Sequence, residues 1–426
     1  MTGDAPVSPA APAVRTGTGD GRHVIVVGAG AAGLAAAERL IAAGRTVTVL
    51  EARKRIGGRA FTDSVGGQIF DAGAAYIHFR ERNPWVGIAE GLGVPLTRHR
   101  GWGGGRGFDG TSPLADAFRD ERNAARHRLW DRMEALDVEG ADRSVADVVA
   151  PGDEMERWVA LRYAQQAIGE EPHNVSVADI MAQWEGADDT VREGYGTLVA
   201  RSGQWLPVTL EAPVHALRWG SGGVEAETPK GTVKADKAVV TVPVGVLAQG
   251  IRFDPVLPAE HRAALERLHG GALTKVALAV GRDRLGLPSP ADLFEIRSGF
   301  VFECFPYDRD LIVATIGGDP ARELVARGEA AAVAHATDVL AGILGERVRG
   351  QVVAGKLADW VSDPWARGSY SVAAPGHLSA RAALGRPVGE RLFFAGEATA
   401  GPGSMTVGGA TLAGRAAAEA ALGSAA

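Results

Sequence analysis

The stretch Val24–Arg59, VIVVGAGAAGLAAAERLIAAGRTVTVLEARKRIGGR, decides how the rest of the chain is read. Val24 to Val27 is short and wholly apolar, as expected of a strand buried in a parallel sheet. Gly28, Gly30 and Gly33 follow as G-x-G-x-x-G, with Ala31 and Ala32 inside the turn. Leu34 to Ala43 is rich in Ala and Leu and predicts a helix that Gly44 stops. TVTVLE predicts the next strand. Its last residue, Glu51, lies 18 positions after Gly33, close to where a carboxylate binds a ribose hydroxyl. The glycines let backbone approach a pyrophosphate, and the helix N-terminus offers it N–H groups and partial positive charge. Three glycines alone are a weak signal. Strand, glycines, helix, strand and acid in register are a strong one, against a glycine-rich turn that holds no ligand.

The continuation bears on which dinucleotide is held. After Glu51 come Ala52 and Arg53, then Gly57, Gly58 and Arg59. A second glycine turn followed by arginine suits a pyrophosphate gripped from two sides, as in flavoproteins, and points to FAD rather than NAD. No second G-x-G-x-x-G follows a strand elsewhere. GWGGGRG at 101–107 has glycines without a preceding strand and is expected to be a flexible loop.

The 426 residues are 46% apolar and 23% charged, with a net charge of −6. That length predicts two or three domains. The negative balance and the lack of a basic run argue against nucleic acid as a partner. A single cysteine, Cys304, excludes an internal disulfide and a Cys-x-x-Cys redox pair, and fits a reducing, cytoplasmic setting. No apolar run approaches a membrane span. Residues 1–21, rich in Pro, Ala, Gly, Ser and Thr, read as a disordered tail without a signal peptide.

Beyond residue 22 the chain resembles the flavin-containing amine oxidases, the superfamily of monoamine oxidases, polyamine oxidases and histone demethylases. The resemblance runs through DAGAAYIHFRERNPW (71–85), DDTVREGYGTLV (188–199), EAPVHALRW (211–219), VVTVPVGVLAQGIRFDPVLP (239–258) and LTKVALAV (273–280). It continues through WVSDPWARGSYS (360–371), RLFFAGEATA (391–400) and SMTVGGATLAGRAAAEA (404–420). It implies an α/β fold: a Rossmann-like FAD-binding domain of the GR2 type with a discontinuous α+β substrate-binding domain. Segments 22–85, 207–265 and 385–426 are expected to build the first domain; 86–206 and 266–384 the second. Positions 115–200 look helical, 270–320 and 350–373 alternate like strands, and 324–347 reads as one amphipathic helix.

The resemblance also implies a chemistry: hydride leaves the carbon next to an amine nitrogen for the flavin, the imine hydrolyses, and O2 takes the electrons to give H2O2. Lys275 would reach a water beside the reactive flavin nitrogen, and Tyr370 would flank the substrate amine with its aromatic face. Thr406 stands where monoamine oxidases carry a second aromatic, so the cage is half present. Trp360 is expected at the flavin edge, and His78 and Tyr76 beside the substrate. Phe302, in FVFECF, is expected to line the substrate tunnel. The cofactor shell implied comprises Gly28, Gly30, Ala31, Ala32, Gly33, Glu51, Ala52, Arg53, Gly58, Arg59, Gly73 and Ala74. Val214, on a strand, Gly396, Glu397, Thr406, Val407 and Ala410 complete it. A carboxylate at Glu397 sits oddly near phosphate, and hydrogen bonding to water or ribityl hydroxyls is the expected role. Ser369 replaces the cysteine through which some monoamine oxidases attach FAD, which predicts non-covalent binding.

The expected partners are a small-molecule amine and O2, with no metal. The alternatives are an L-amino-acid oxidase of the same superfamily and a flavin-dependent desaturase or isomerase. Amino-acid oxidases clamp the carboxylate with arginine in Gly-Ala-Met-Arg; the residues here are Gly73, Ala74, Ala75 and Tyr76. For a remote second ammonium, Glu170, Glu171, Glu185, Asp188 and Asp189 are the acidic residues to consider.

Overall fold

A computed structural model describes residues 23–101, 104–136, 142–281, 283 and 285–423. The expected tail at 1–21 lies outside the described residues. His23–Val27 forms a strand with every residue buried, and it pairs in parallel with Thr46–Leu50 on one side and Lys237–Val240 on the other. Val208–Thr209 and Leu392–Phe394 complete a five-stranded parallel sheet. Valine, isoleucine and leucine dominate because both faces are covered. The helices Ala31–Ala42 and Val407–Leu422 pack on one face. Small residues permit this closeness: a Cβ on Gly414 would lie 2.1 Å from the carbonyl oxygen of Ala32.

A second, seven-stranded sheet runs in the order Val352–Ala358, Leu273–Val280, Leu311–Gly317, Val301–Cys304, Ala291–Glu295, Arg106–Asp109, Ser112–Pro113. The helices Asp116–Glu134 and Glu154–Tyr163 pack together beside it, with Leu129, Met133, Val159 and Ala160 in their shared core. Among the described residues, no helix is long and apolar enough to cross a membrane.

Two expectations about local structure need correction. The 101–107 stretch is not wholly loop: Arg106–Asp109 is a strand paired in parallel with Ala291–Glu295, while Trp102 and Gly103 lie outside the described residues. The helix expected across 324–347 is broken. Asp319–Arg327 ends at Gly328, whose φ of +83° reverses the chain before Glu329–Leu344 begins.

Candidate active site

Between the parallel sheet and the seven-stranded sheet lies a cavity of about 1320 Å3. That exceeds the ~300–1000 Å3 of drug-sized pockets. One end is the turn after the first strand. Gly28 takes φ +98°, and a Cβ on Gly33 would sit 1.9 Å from the Gly28 carbonyl oxygen. Gly30 caps the Ala31–Ala42 helix without any side chain, and Gly30, Ala31 and Ala32 line the cavity. Gly57 bridges to Gly30, and a Cβ on Gly58 would approach the Gly30 Cα to 3.1 Å. The two glycine turns therefore form one cradle. The Glu51 carboxylate lies at its edge, accepting from the Ala29 N–H at 2.7 Å and the Arg53 N–H at 2.8 Å. Ala52, Val214 and Gly396 line the same wall. Val214 precedes rather than occupies the Ala216–Gly220 strand, correcting the sequence reading.

Opposite this end is a second helix N-terminus. Thr406 caps Val407–Leu422, accepting from Gly409 N at 2.9 Å, and Thr406, Val407 and Ala410 face the cavity. Two helix starts, a glycine cradle and an acid at the next strand's end fit a dinucleotide that spans the cavity.

Arg53 and Arg59 prove heavily engaged within the protein. Arg53 makes a bidentate pair with Asp363, both contacts at 2.7 Å, and stacks over Trp360. Arg59 donates to the Ser369 carbonyl and to Glu397, each at 3.0 Å. Glu397 also accepts from the Ser371 N–H and hydroxyl and from Met405 N. Burial pushes the Glu397 pKa up, but Arg59, Arg381 and the Ser371 bonds outweigh it and hold the carboxyl below its ordinary range. Arg381 is buried, paired bidentately to Asp179 at 2.6 and 2.7 Å, and donates to the Ser371 hydroxyl at 2.6 Å. Glu397 is thus the centre of an ion network that fixes Arg59. Sequence reasoning missed Asp179 and Arg381, which sit in helices without any distinguishing motif.

The middle of the cavity holds Lys275. It points inward from its strand and donates to the carbonyl oxygens of Asp71 at 2.8 Å and Gly73 at 2.7 Å. Burial lowers its pKa, while Asp71 and Glu303 oppose that shift. The Asp71 carboxylate, raised by burial, caps the Tyr195–Gly203 helix through Tyr195 N and Gly196 N and takes the Thr62 hydroxyl at 2.6 Å. Trp360 donates to the Ala72 carbonyl at 2.9 Å, and Tyr370 to that of Ala167 at 2.9 Å. Burial raises the Tyr370 hydroxyl well above its ordinary pKa, keeping it a neutral donor. Ala74, Tyr76 and His78 line the same chamber. His78 contacts Asp188 at 3.1 Å, and Tyr76 lies edge-on to His99.

Phe302 does not line the cavity. It is fully buried in the core beneath the large sheet, with Phe300 and Cys304. Alternation along the strand turns Val301 and Glu303 to the cavity instead. Glu303 makes no hydrogen bond or ion pair among the described residues, and burial raises its pKa. A signal was available: Glu303 is the one charged residue in FVFECF. Of the other acids considered, Glu170 is bound to His269 and Arg322, Glu171 to Gln165, and Asp189 to Arg80; Asp188 and Glu185 reach the cavity wall. No group of three or more potential metal ligands occurs among the described residues.

A family model for flavin-containing amine oxidoreductases matches residues 31–102 and 121–422. The chain belongs to the flavin-containing amine oxidoreductase family. It is 31% identical over 438 residues to lysine-specific histone demethylase 1 homolog 2 of Arabidopsis thaliana, covering 92% of this chain and 57% of the relative. To lysine-specific histone demethylase 1 homolog 3 of Oryza sativa subsp. japonica it is 32% identical, over 92% and 53%. The chain spans about half the length of these curated relatives. Putrescine oxidase bound to putrescine superimposes with a TM-score of 0.79 at 23% identity, over 93% of this chain and 98% of that one. Cyclohexylamine oxidase from Brevibacterium oxydans IH-35A gives 0.77 at 22%, over 94% and 98%. The family's description as flavin-containing agrees with the dinucleotide-sized cradle, and the fold is that of the two oxidases compared.

Proposed function

We propose that this amine oxidoreductase oxidises a small primary or secondary amine with O2 as acceptor. The balance for a primary amine is R–CH2–NH2 + O2 + H2O to R–CHO, NH3 and H2O2. FAD, when bound, supplies the two-electron acceptor for hydride from the carbon next to nitrogen.

The observation that carries the reading is the inward ammonium of Lys275, held by two carbonyl oxygens of the 71–73 segment. Two donor bonds leave one N–H of an ammonium to orient a water in the chamber. Tyr370 and Trp360 give an amine aromatic surface, with their polar atoms already engaged by backbone. Glu303 offers a carboxylate able to receive an arriving ammonium or its proton. The amino-acid oxidase reading lacks support at Tyr76, where a clamping arginine would stand. The demethylase names of the relatives fit an N-methylated amine as one member of the substrate class.

A peroxide-coupled panel of mono-, di- and polyamines, N-methylated amines, cyclic amines and amino acids tests this. Peroxide with at least one simple amine is expected. Turnover confined to amino acids would favour the alternative, and silence across the panel would overturn amine oxidation with O2.

A further inference from the structure

Charge is divided along the cavity. Around Lys275 the wall is acidic, with Glu303 and Asp188. Beside the Asp116–Glu134 helix the wall is rich in arginine, and its carboxylate, Glu295, is already held by the N–H groups of Gly110, Arg297 and Ser298. The Asp116–Glu134 helix turns Arg119, Arg122 and Arg126 to the cavity; their i, i+3, i+7 spacing makes one stripe. Other arginines of this helix are engaged away from it: Arg128 by Glu121 and Asp153, Arg132 by Glu156. Arg119 holds Asp116 at the helix start. Arg126 is exposed and has no hydrogen bond or ion pair among the described residues. Arg122 lies against the Phe294 ring and donates to Asn123; burial, then Arg126 and Arg119, lower its pKa. Arg162, on the neighbouring helix, lines the same region. It donates to the Ile296 carbonyl and the Gln165 side-chain oxygen, and its buried Nε has no hydrogen-bond partner among the described residues.

Arginines one helical turn apart repel, by a few tenths of a kcal/mol per pair. A diamine or polyamine entering here meets like charge within about one Debye length of ~10 Å. An anion is attracted and can be gripped by the planar guanidinium forks.

We infer that the substrate is an amine carrying an oxyanion, carboxylate or phosphate, at the end remote from the oxidised carbon, with Arg122, Arg126 and Arg162 receiving that anion. The inference rests on the amine-oxidation reading and narrows its substrate class.

The test is anaerobic flavin reduction of the holoenzyme at limiting substrate. Four series of matched, graded chain length are used: n-alkylamines, α,ω-diamines, ω-amino carboxylates and ω-aminoalkyl phosphates. At low salt, one anionic series should exceed the diamine of equal length by about tenfold or more. Its identity tells carboxylate from phosphate. The preference should shrink in about 0.5 M NaCl. Arg126→Gln, at an exposed site, and Arg122→Gln/Arg126→Gln should lower the anion-to-diamine ratio, the double variant by about tenfold. Arg126→Lys should keep most of it. Each variant is read only with a wild-type flavin spectrum, and the wild-type series decides alone if the double variant does not fold. Diamines equal to or better than both anionic series, or a ratio unmoved by Arg126→Gln, would overturn the inference while leaving amine oxidation intact. Reduction by no amine of any series would remove the reading beneath it.

Discussion

The ammonium of Lys275 lies 2.7 Å from the carbonyl oxygen of Gly73, at a position where no side chain fits. A Cβ on Gly73 would stand 1.8 Å from the Arg59 carbonyl oxygen and 3.2 Å from the Trp360 ring. Glycine at 73 therefore lets the cofactor cradle, the tryptophan and the lysine meet at one place.

Lys275→Met keeps length and packing but removes charge and hydrogen bonding. A solvent-facing lysine would tolerate the change within about 0.5 kcal/mol. Here flavin reduction or reoxidation should slow by roughly 2 kcal/mol or more of barrier, the scale of one lost electrostatic donor. Stopped-flow absorbance resolves both half-reactions; wild-type rates in both would refute the role.

Ser369 donates its hydroxyl to the Gly271 carbonyl at 3.0 Å and stands before Tyr370, while Cys304 is buried in another core. Non-covalent FAD is the expected state. Acid precipitation should leave yellow colour in the supernatant, and colour retained by the washed pellet would contradict it.

Arg381→Met removes one partner of a buried ion network, leaving Asp179 without its bidentate partner and Glu397 with Arg59 as its remaining cation. Breaking such a pair costs roughly 3–5 kcal/mol. The urea midpoint should fall accordingly, and FAD retention should weaken because Arg59 loses a firmly held Glu397. A midpoint within experimental error of wild type would show that the network adds little.

Glu170 gives the pH dependence of stability. Burial raises its pKa, but hydrogen bonds from His269, Arg322 and Glu171 N outweigh that and bring it from 4.5 to about 2. A depressed acid stabilises fully above its unfolded pKa and loses that contribution as pH falls through the folded value. The window is therefore from about pH 4.5 down to about 2. The stability margin of wild type over Glu170→Gln should be constant near neutrality and shrink below about pH 4.5. A margin that grows on acidification would reverse the assignment.

How far the sequence foretold the molecule depends on the range of the interaction. The Gly28–Arg59 cradle was legible because phosphate geometry is met by neighbours in the chain. The resemblance singled out Lys275 and Tyr370, and both line the cavity. The Val301–Cys304 strand was misread by one residue, since alternation defines two faces without saying which one meets the cavity. Arg106–Asp109 became a strand through pairing with residues nearly two hundred positions later. Glu397 made sense only beside Ser371 and Arg381 and beside Arg59, which folding brings from 338 positions earlier.

The parallel sheet takes its last strand, Leu392–Phe394, and one cavity-facing helix start, Thr406, from the far end of the polypeptide. A chain still being synthesised has the glycine cradle after about sixty residues but lacks the opposite half of its clasp until more than four hundred have emerged. Cofactor capture is then a late event of biosynthesis. Ribosome-bound chains stalled before residue 390 should not retain FAD, whereas released full-length chains should.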